Sequence, residues 1–159
     1  MNVDKHMHII GIDPGKSGGI AAISQIIKQP QFTAIKTPDS VRAMVEIIRV
    51  MNKHAVKPKC YLENVHAFPT DGRSSVFKFG TNFGMWQGIL ASFNIETILV
   101  DPRVWQKSFG ELPKKKQERK RKLKEIASKE TGVKTTLSTA DALCIALYGV
   151  KQENIENGI

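Results

Sequence analysis

The sequence predicts an α/β domain with a mixed β-sheet flanked by helices. Two patterns and a length point there. The first 36 residues hold three short apolar runs separated by Pro, Gly and Ser turns, as in a β-meander. After them, helical periodicity alternates with short strands. The 159 residues are enough for one domain with a proper core and too few for two large ones. No internal repeat is visible.

Taken in order, the apolar runs place strands at Met7–Ile12, Gly19–Gln25 and Gln31–Lys36. Asp39-Ser40 offers a cap for a helix reaching about His54, with Val41, Met44, Val45, Ile48 and Met51 on one stripe. "KCYLENV", Lys59–Val65, reads as a buried strand with Glu63 near its end, followed by a polar loop, Phe68–Arg73. Ser74 or Ser75 can cap the next helix, which runs to about Asn94. That helix carries Gly80, Gly84 and Gly88 at four-residue spacing. Each glycine costs about 1 kcal/mol against alanine in a helix, so three on one face suggest that another backbone packs close there. Ile95–Val100 is a further strand, and Pro102 opens a short helix through Trp105. The last helix, about Ser138 to Val150, keeps Ala142, Ile145, Ala146 and Gly149 on one side. One domain spanning residues 1–159 is expected, with 1–6 and 151–159 as flexible ends.

Lys and Arg total 24 against 15 Asp and Glu, a net charge of +9. That excess points to a polyanionic partner, most simply nucleic acid. From Lys114 to Lys124, eight of eleven residues are basic, which makes this an extended basic helix or a mobile arm that contacts phosphate. Cys60 and Cys144 sit in apolar surroundings and read as reduced core residues, not a disulfide or zinc framework. No run approaches the ~20 apolar residues of a membrane span, and no signal-type apolar region begins the chain. A soluble, intracellular protein is expected, cytoplasmic or organellar, with no membrane partner.

"GIDPGKSGG", Gly11 to Gly19, poses the functional question. A phosphate-binding P-loop needs four residues between its glycines, and here there are three. Asp13 would also stand where backbone N–H groups should meet phosphate. The better reading is a strand ending in an acid, then a Pro-Gly turn. Such an acid can hold Mg²⁺ against a phosphate; the bland reading is a turn-forming Asp. Glu63 ends a later strand, and Asp141 lies in the first turn of the last helix. Alone, Glu63 reads as strand-end solvation and Asp141 as a favourable charge at a helix N-terminus. Brought together, three carboxylates repel one another unless cations bind. Oxygen ligands suit Mg²⁺ or Mn²⁺, and two such ions about 4 Å apart can activate water and stabilise the leaving oxygen of a phosphodiester.

"HIIGIDPGKSGGIAAI", "YLENVHAF", "FGTNFGMWQGILASFNIETILVDPRVWQ" and "TADALCIALYG", in that order, resemble the RuvC-type Holliday junction resolvases, nearest in flavour to their phage and organellar branch. The resemblance covers about residues 8–107 and 135–150. It implies an RNase H-like fold, a homodimer, and Mg²⁺-dependent nicking of two opposed strands at a four-way DNA junction, with Mn²⁺ able to substitute and two ions per site. The family's acids fall on Asp13, Glu63 and Asp141, as catalytic residues and metal ligands. The family usually places a further Asp or His a few residues before the last acid. That metal position falls here on Ser138, and nothing from Thr131 to Ala140 is acidic or His. Glu130 or a water would have to stand in, or the chain is an inactivated variant. The family also uses an aromatic after its second acid to wedge into the junction, which makes Phe68 the first candidate and His66 the second.

Lys16 and Ser17 beside Asp13, Arg73, Lys107, and Lys114, Lys115, Lys116, Arg119, Lys120 and Arg121 complete the expected DNA contacts. Two alternatives share this fold: a ribonuclease that cuts RNA–DNA hybrids, and a junction-binding protein without cleavage. An actin-like ATPase is excluded, because it needs two such domains around its nucleotide.

Overall fold

In the computed structural model, which describes residues 7–26, 29–66 and 70–156, the first strand is buried on both faces. β1 (Met7–Ile12) alternates Ile9 to one side with Ile10 and Ile12 to the other, and all three are essentially inaccessible. Such a strand belongs in the middle of a covered sheet. It pairs antiparallel with β2 (Gly19–Ile26) and parallel with β4 (Lys59–Glu63). β2 pairs antiparallel with β3 (Gln29–Lys36), and β4 pairs parallel with β5 (Glu96–Val100). The sheet is therefore five-stranded and mixed, in the order β3-β2-β1-β4-β5. Pro30 lies in β3, an edge strand, where proline is tolerated.

Each face has its own core. On one, Ile10, Ile12, Cys60 and Leu62 meet Met44 and Ile48 of α1 (Val41–Asn52) and Trp86, Ile89 and Leu90 of α2 (Arg73–Ser92). On the other, Ile9, Ala21, Ile23 and Tyr61 meet α5 (Leu137–Glu156). α5 in turn packs against α3 (Pro102–Lys107) and α4 (Lys116–Thr131). α5 lies almost on the sheet backbone. A Cβ at Gly11 would fall 2.8 Å from Ala146 Cβ, and one at Gly149 would fall 2.7 Å from Ile9 Cγ2. Both positions need the smallest residue for this approach.

Boundaries differ from the sequence expectation in a few informative places. α1 starts where expected, with the Ser40 hydroxyl accepting from Ala43 N at 3.2 Å. α2 starts at Arg73 after Gly72, without a serine cap. β4 ends at Glu63 and not Val65; Asn64 N still donates to Val100 O at 2.8 Å, and the chain then leaves the sheet. α3 extends to Lys107. The basic segment is a helix from Lys116 onward, closed by Gly132 in the left-handed conformation (φ 69°).

The C-terminal expectation needs correction: 151–156 are helical, not a flexible end. Glu153, buried on the last turns of α5, accepts from Lys59 Nζ at 2.9 and 3.0 Å and from Tyr61 OH at 2.9 Å. That polar lock continues the helix beyond the apolar stripe from which its end at Val150 was read. The other expected ends, 1–6 and 157–159, lie outside the described residues. The close backbone contact expected at Gly80, Gly84 and Gly88 is not made among the described residues. All three are exposed, and a Cβ at any of them would meet nothing within 4 Å. Both cysteines are free and buried, as expected. No helix among the described residues is long and apolar enough to cross a membrane.

Candidate active site

β1 and β4 run parallel and side by side, so their C-terminal ends open at the same edge of the sheet. Asp13 follows β1 directly, and Glu63 is the last residue of β4. α5 crosses beneath them. Its start is fixed by a reciprocal pair: Thr139 N donates to Thr136 Oγ1 at 3.3 Å, and Thr136 N to Thr139 Oγ1 at 3.0 Å. The helix thus brings Asp141, in its second turn, up to the same edge. Three acids 50 and more residues apart meet there because two neighbouring strands end there and one helix packs tightly below.

The electrostatics record the meeting. Burial, then the charges of Asp13 and Asp141, push the Glu63 carboxyl up to about 8. Burial and Asp13 push Asp141 up to about 6, against the pull of Lys120, Arg119 and Lys116. Burial also raises Asp13, opposed by the Gly15 N–H, by Lys120 and by a hydrogen bond with Glu63. Asp13 and Glu63 are thus near enough to act on each other's ionisation. Each acid is also held individually. Gly15 N donates to Asp13 Oδ1 at 3.0 Å, and Trp105 Nε1 donates to Glu63 Oε1 at 3.3 Å. Lys120 Nζ stands 3.9 Å from Asp141 Oδ2, while Asp141 Oδ1 is buried without a hydrogen-bond partner.

The donor set suits a hard divalent cation: every group is a carboxylate oxygen, and one buried oxygen has no partner. Among the described residues, however, no three ligand-type side chains converge closely enough to make a ready metal cluster. Asp141 leans on Lys120. Ser138 lies one helical turn before Asp141 and is half-buried; it brings no charge to the site. Glu130 is exposed near the end of α4.

No family model matches the sequence, and no curated protein matches it. Solved structures do. Thermus thermophilus RuvC in complex with a Holliday junction substrate superposes with a TM-score of 0.63 over 94% of this chain and 96% of that one, at 16% identity. T. thermophilus RuvC alone gives 0.61 over 94% and 97%, at 17% identity. The chain has the RuvC fold, an RNase H-like fold.

On this RuvC-type frame the expected DNA contacts fall into two groups. Lys16 and Ser17 are exposed on the β1–β2 turn, which a Gly18 N to Gly15 O bond of 2.9 Å tightens beside Asp13. Arg73 is exposed at the head of α2, Lys107 at the end of α3, and Lys114, Lys115, Lys116 and Arg121 on and before α4. Two basic residues turn inward. Arg119 Nη1 donates to the carbonyls of Pro113 and Lys114, at 3.3 and 2.9 Å, and so ties down the approach to α4. Lys120 faces the acids. His66 is exposed and bonded to Asp101; Phe68 lies outside the described residues. Trp105 and the inward role of Lys120 were missed by sequence reasoning. A buried Trp needs a partner for its N–H, but nothing in the sequence says that the partner is Glu63. Spacing along a helix with basic residues on every side does not reveal which lysine looks in.

Proposed function

We propose that the chain is a metal-dependent endonuclease that resolves four-way DNA junctions, akin to the phage and organellar RuvC-type enzymes. The observation that supports this most directly is the convergence of Asp13, Glu63 and Asp141, with raised pKa values, at one sheet edge of a RuvC-type fold in a protein of net charge +9. These three would hold Mg²⁺ or Mn²⁺, two ions per site. When bound, the metal supplies water activation and charge stabilisation at the phosphodiester. The remaining roles belong to the chain itself. The Gly15 N–H and the Trp105 indole orient the first two acids. The Lys120 ammonium supplies positive charge beside Asp141, where a phosphate oxygen would crowd the carboxylates. Lys16 and Ser17 flank Asp13, and the exposed lysines around α4 bind backbone phosphates.

Two nicks on opposed strands need two sites, hence a homodimer. The open face of α2, with exposed Phe77 and the bare Gly80, Gly84 and Gly88, suits close approach of a second copy. A non-cutting junction binder is the second reading. Ser138 and the Lys120–Asp141 ion pair favour it, since both weaken the demand for a cation. One assay separates the possibilities. A synthetic four-way junction, a linear duplex and an RNA–DNA hybrid are incubated with Mg²⁺ or with EDTA. Paired nicks in the junction with Mg²⁺ only are expected. Cleavage of the hybrid alone indicates a ribonuclease, and junction binding without nicking indicates the silent binder.

A further inference from the structure

The two open edges of the sheet are built differently. At one, β3 carries Pro30, which has no N–H to offer an added strand. At the other, β5 reads Glu-Thr-Ile-Leu-Val, with no proline and no lysine to blunt it. Among the described residues it pairs with β4 alone, in parallel from Glu96 to Val100. The outward row of its backbone N–H and C=O groups is a template for a further strand. Leu99, on this edge, is 44% exposed.

A groove of about 350 Å³ follows β5 from Glu96 to Asp101, between the strand and the last turns of α5. Its middle is apolar, with Ile98, Tyr148 and the exposed Val104. Its ends are acidic, against the sign of the molecule. In a chain of net charge +9, Glu96, Asp101, Glu153 and Glu156 border the groove with Lys59 as the one cation among them. Lys59 is held by the buried Glu153 at 2.9 Å and stands 3.9 and 4.0 Å from the exposed Glu96 and Glu156. One ammonium does not balance three carboxylates, so that end keeps a negative excess. Asp101 puts a further carboxylate at the other end of the strand.

Charge selects what the edge can take. The acids repel DNA. A second copy paired antiparallel about a two-fold axis would bring the Glu96 end of one β5 to the Asp101 end of the other, acid to acid, which is unfavourable across strands. We propose that the β5 edge docks an extended basic segment of another protein, which adds to the sheet as a sixth strand with an apolar residue between two cations on its groove-facing side. Such strand addition takes affinity from the main-chain ladder and specificity from alternate side chains. Residues two apart face the same way, so a Lys-x-Val-x-Arg pattern sets its valine against Ile98 and Tyr148 and its cations toward Glu96 with Glu156 and toward Asp101. The inference goes beyond the nuclease reading and does not depend on it.

The test uses the full chain and a fluorescein-labelled peptide, Lys-Thr-Val-Thr-Arg flanked by glycines, in fluorescence anisotropy. Binding with a Kd below about 100 µM is expected. Two forms of the peptide, N-methylated on one or the other alternate set of backbone nitrogens, keep every charge. One of them should bind at least about tenfold more weakly, as the loss of several ladder hydrogen bonds requires. The double variant Glu96→Lys, Glu156→Lys should also weaken binding about tenfold; both side chains are exposed, and the methylated peptides leave the protein itself unaltered. Hydrogen exchange should slow at the β5 amides when peptide is added. No binding up to about 1 mM, equal binding of both methylated forms and the parent, or protection that falls outside β5 overturns the proposal. So does slow exchange at the outward β5 amides of the protein alone together with a dimer mass in light scattering that the double variant abolishes, since the edge would then belong to a second copy.

Discussion

Asp13, Glu63 and Asp141 set the behaviour of the site one residue at a time. Asp13→Asn should reduce cleavage more than about 100-fold, beyond the loss typical of disturbing a ligand's outer partners, while junction affinity in gel shifts survives because Lys and Arg carry it. Equal loss of both would contradict this. Glu63 gives a pH signature. Its carboxyl ionises near its ordinary 4.5 when unfolded and near 8 in the fold, so between those values the folded state alone keeps the proton. Stability is then fully present below about 4.5 and is lost as pH rises toward 8. Melting temperature in EDTA should fall over that window, Glu63→Gln should flatten the fall, and Mg²⁺ should raise the melting point at pH 8. A Gln variant with the wild-type slope would place the cause elsewhere. Ser138→Asp should lower the Mg²⁺ needed for half-maximal cleavage, and Mn²⁺ should serve the wild type better than Mg²⁺; an unchanged metal dependence would mean that another residue completes the site. Each acid alone had an ordinary structural reading; they stood out as a set in a basic chain and through the family resemblance, and the fold places them at one sheet edge. Lys120 and Trp105 did not stand out, because what they touch depends on how α4 and α3 are docked.

Helix α4 shows what periodicity can and cannot tell. Its basic residues cover so much of the circumference that no apolar stripe stands out, and only Leu123 and Ala127 are buried. Its helicity was therefore undecided from the sequence, while its charge was plain. Lys114, Lys115 and Lys116 project into solvent at its start. Changing all three to Ala should flatten the dependence of log K on log salt by about 0.9 for each phosphate contact removed, measured by fluorescence titration. An unchanged slope would assign these lysines to solvent. α5 makes the opposite case: its apolar stripe was visible, yet its true end was not. The final turns are held by Glu153, Lys59 and Tyr61, a polar contact between residues more than 90 positions apart, and no local pattern encodes that.

At the scale of the molecule, the strand and helix order was enough to read an α/β domain with a mixed sheet, because each element carries its own period. The strand order was not read, since pairing is set by which faces are buried together. The homodimer was implied by the family resemblance; the glycines of α2 suggested only where a close contact would lie, and among the described residues nothing packs on them. If α2 does face a second copy, Gly84→Leu should separate the dimer, and light scattering at micromolar concentration should change from dimer mass to monomer mass. A wild type that scatters as a monomer would refute the symmetric arrangement.

The near-contact of α5 with the sheet has a consequence for how a substrate is chosen. Ala146 against Gly11 and Gly149 against Ile9 leave no slack between the helix that carries Asp141 and the strands that lead to Asp13 and Glu63. The acids ride on one stiff block. If this is a nuclease, its jaws do not close, and the strand to be cut must be bent into them. A branch point, already unstacked and pliant, yields at small elastic cost, whereas a straight duplex resists. Discrimination between branched and linear DNA would then reside less in contacts than in the bending energy the nucleic acid itself supplies.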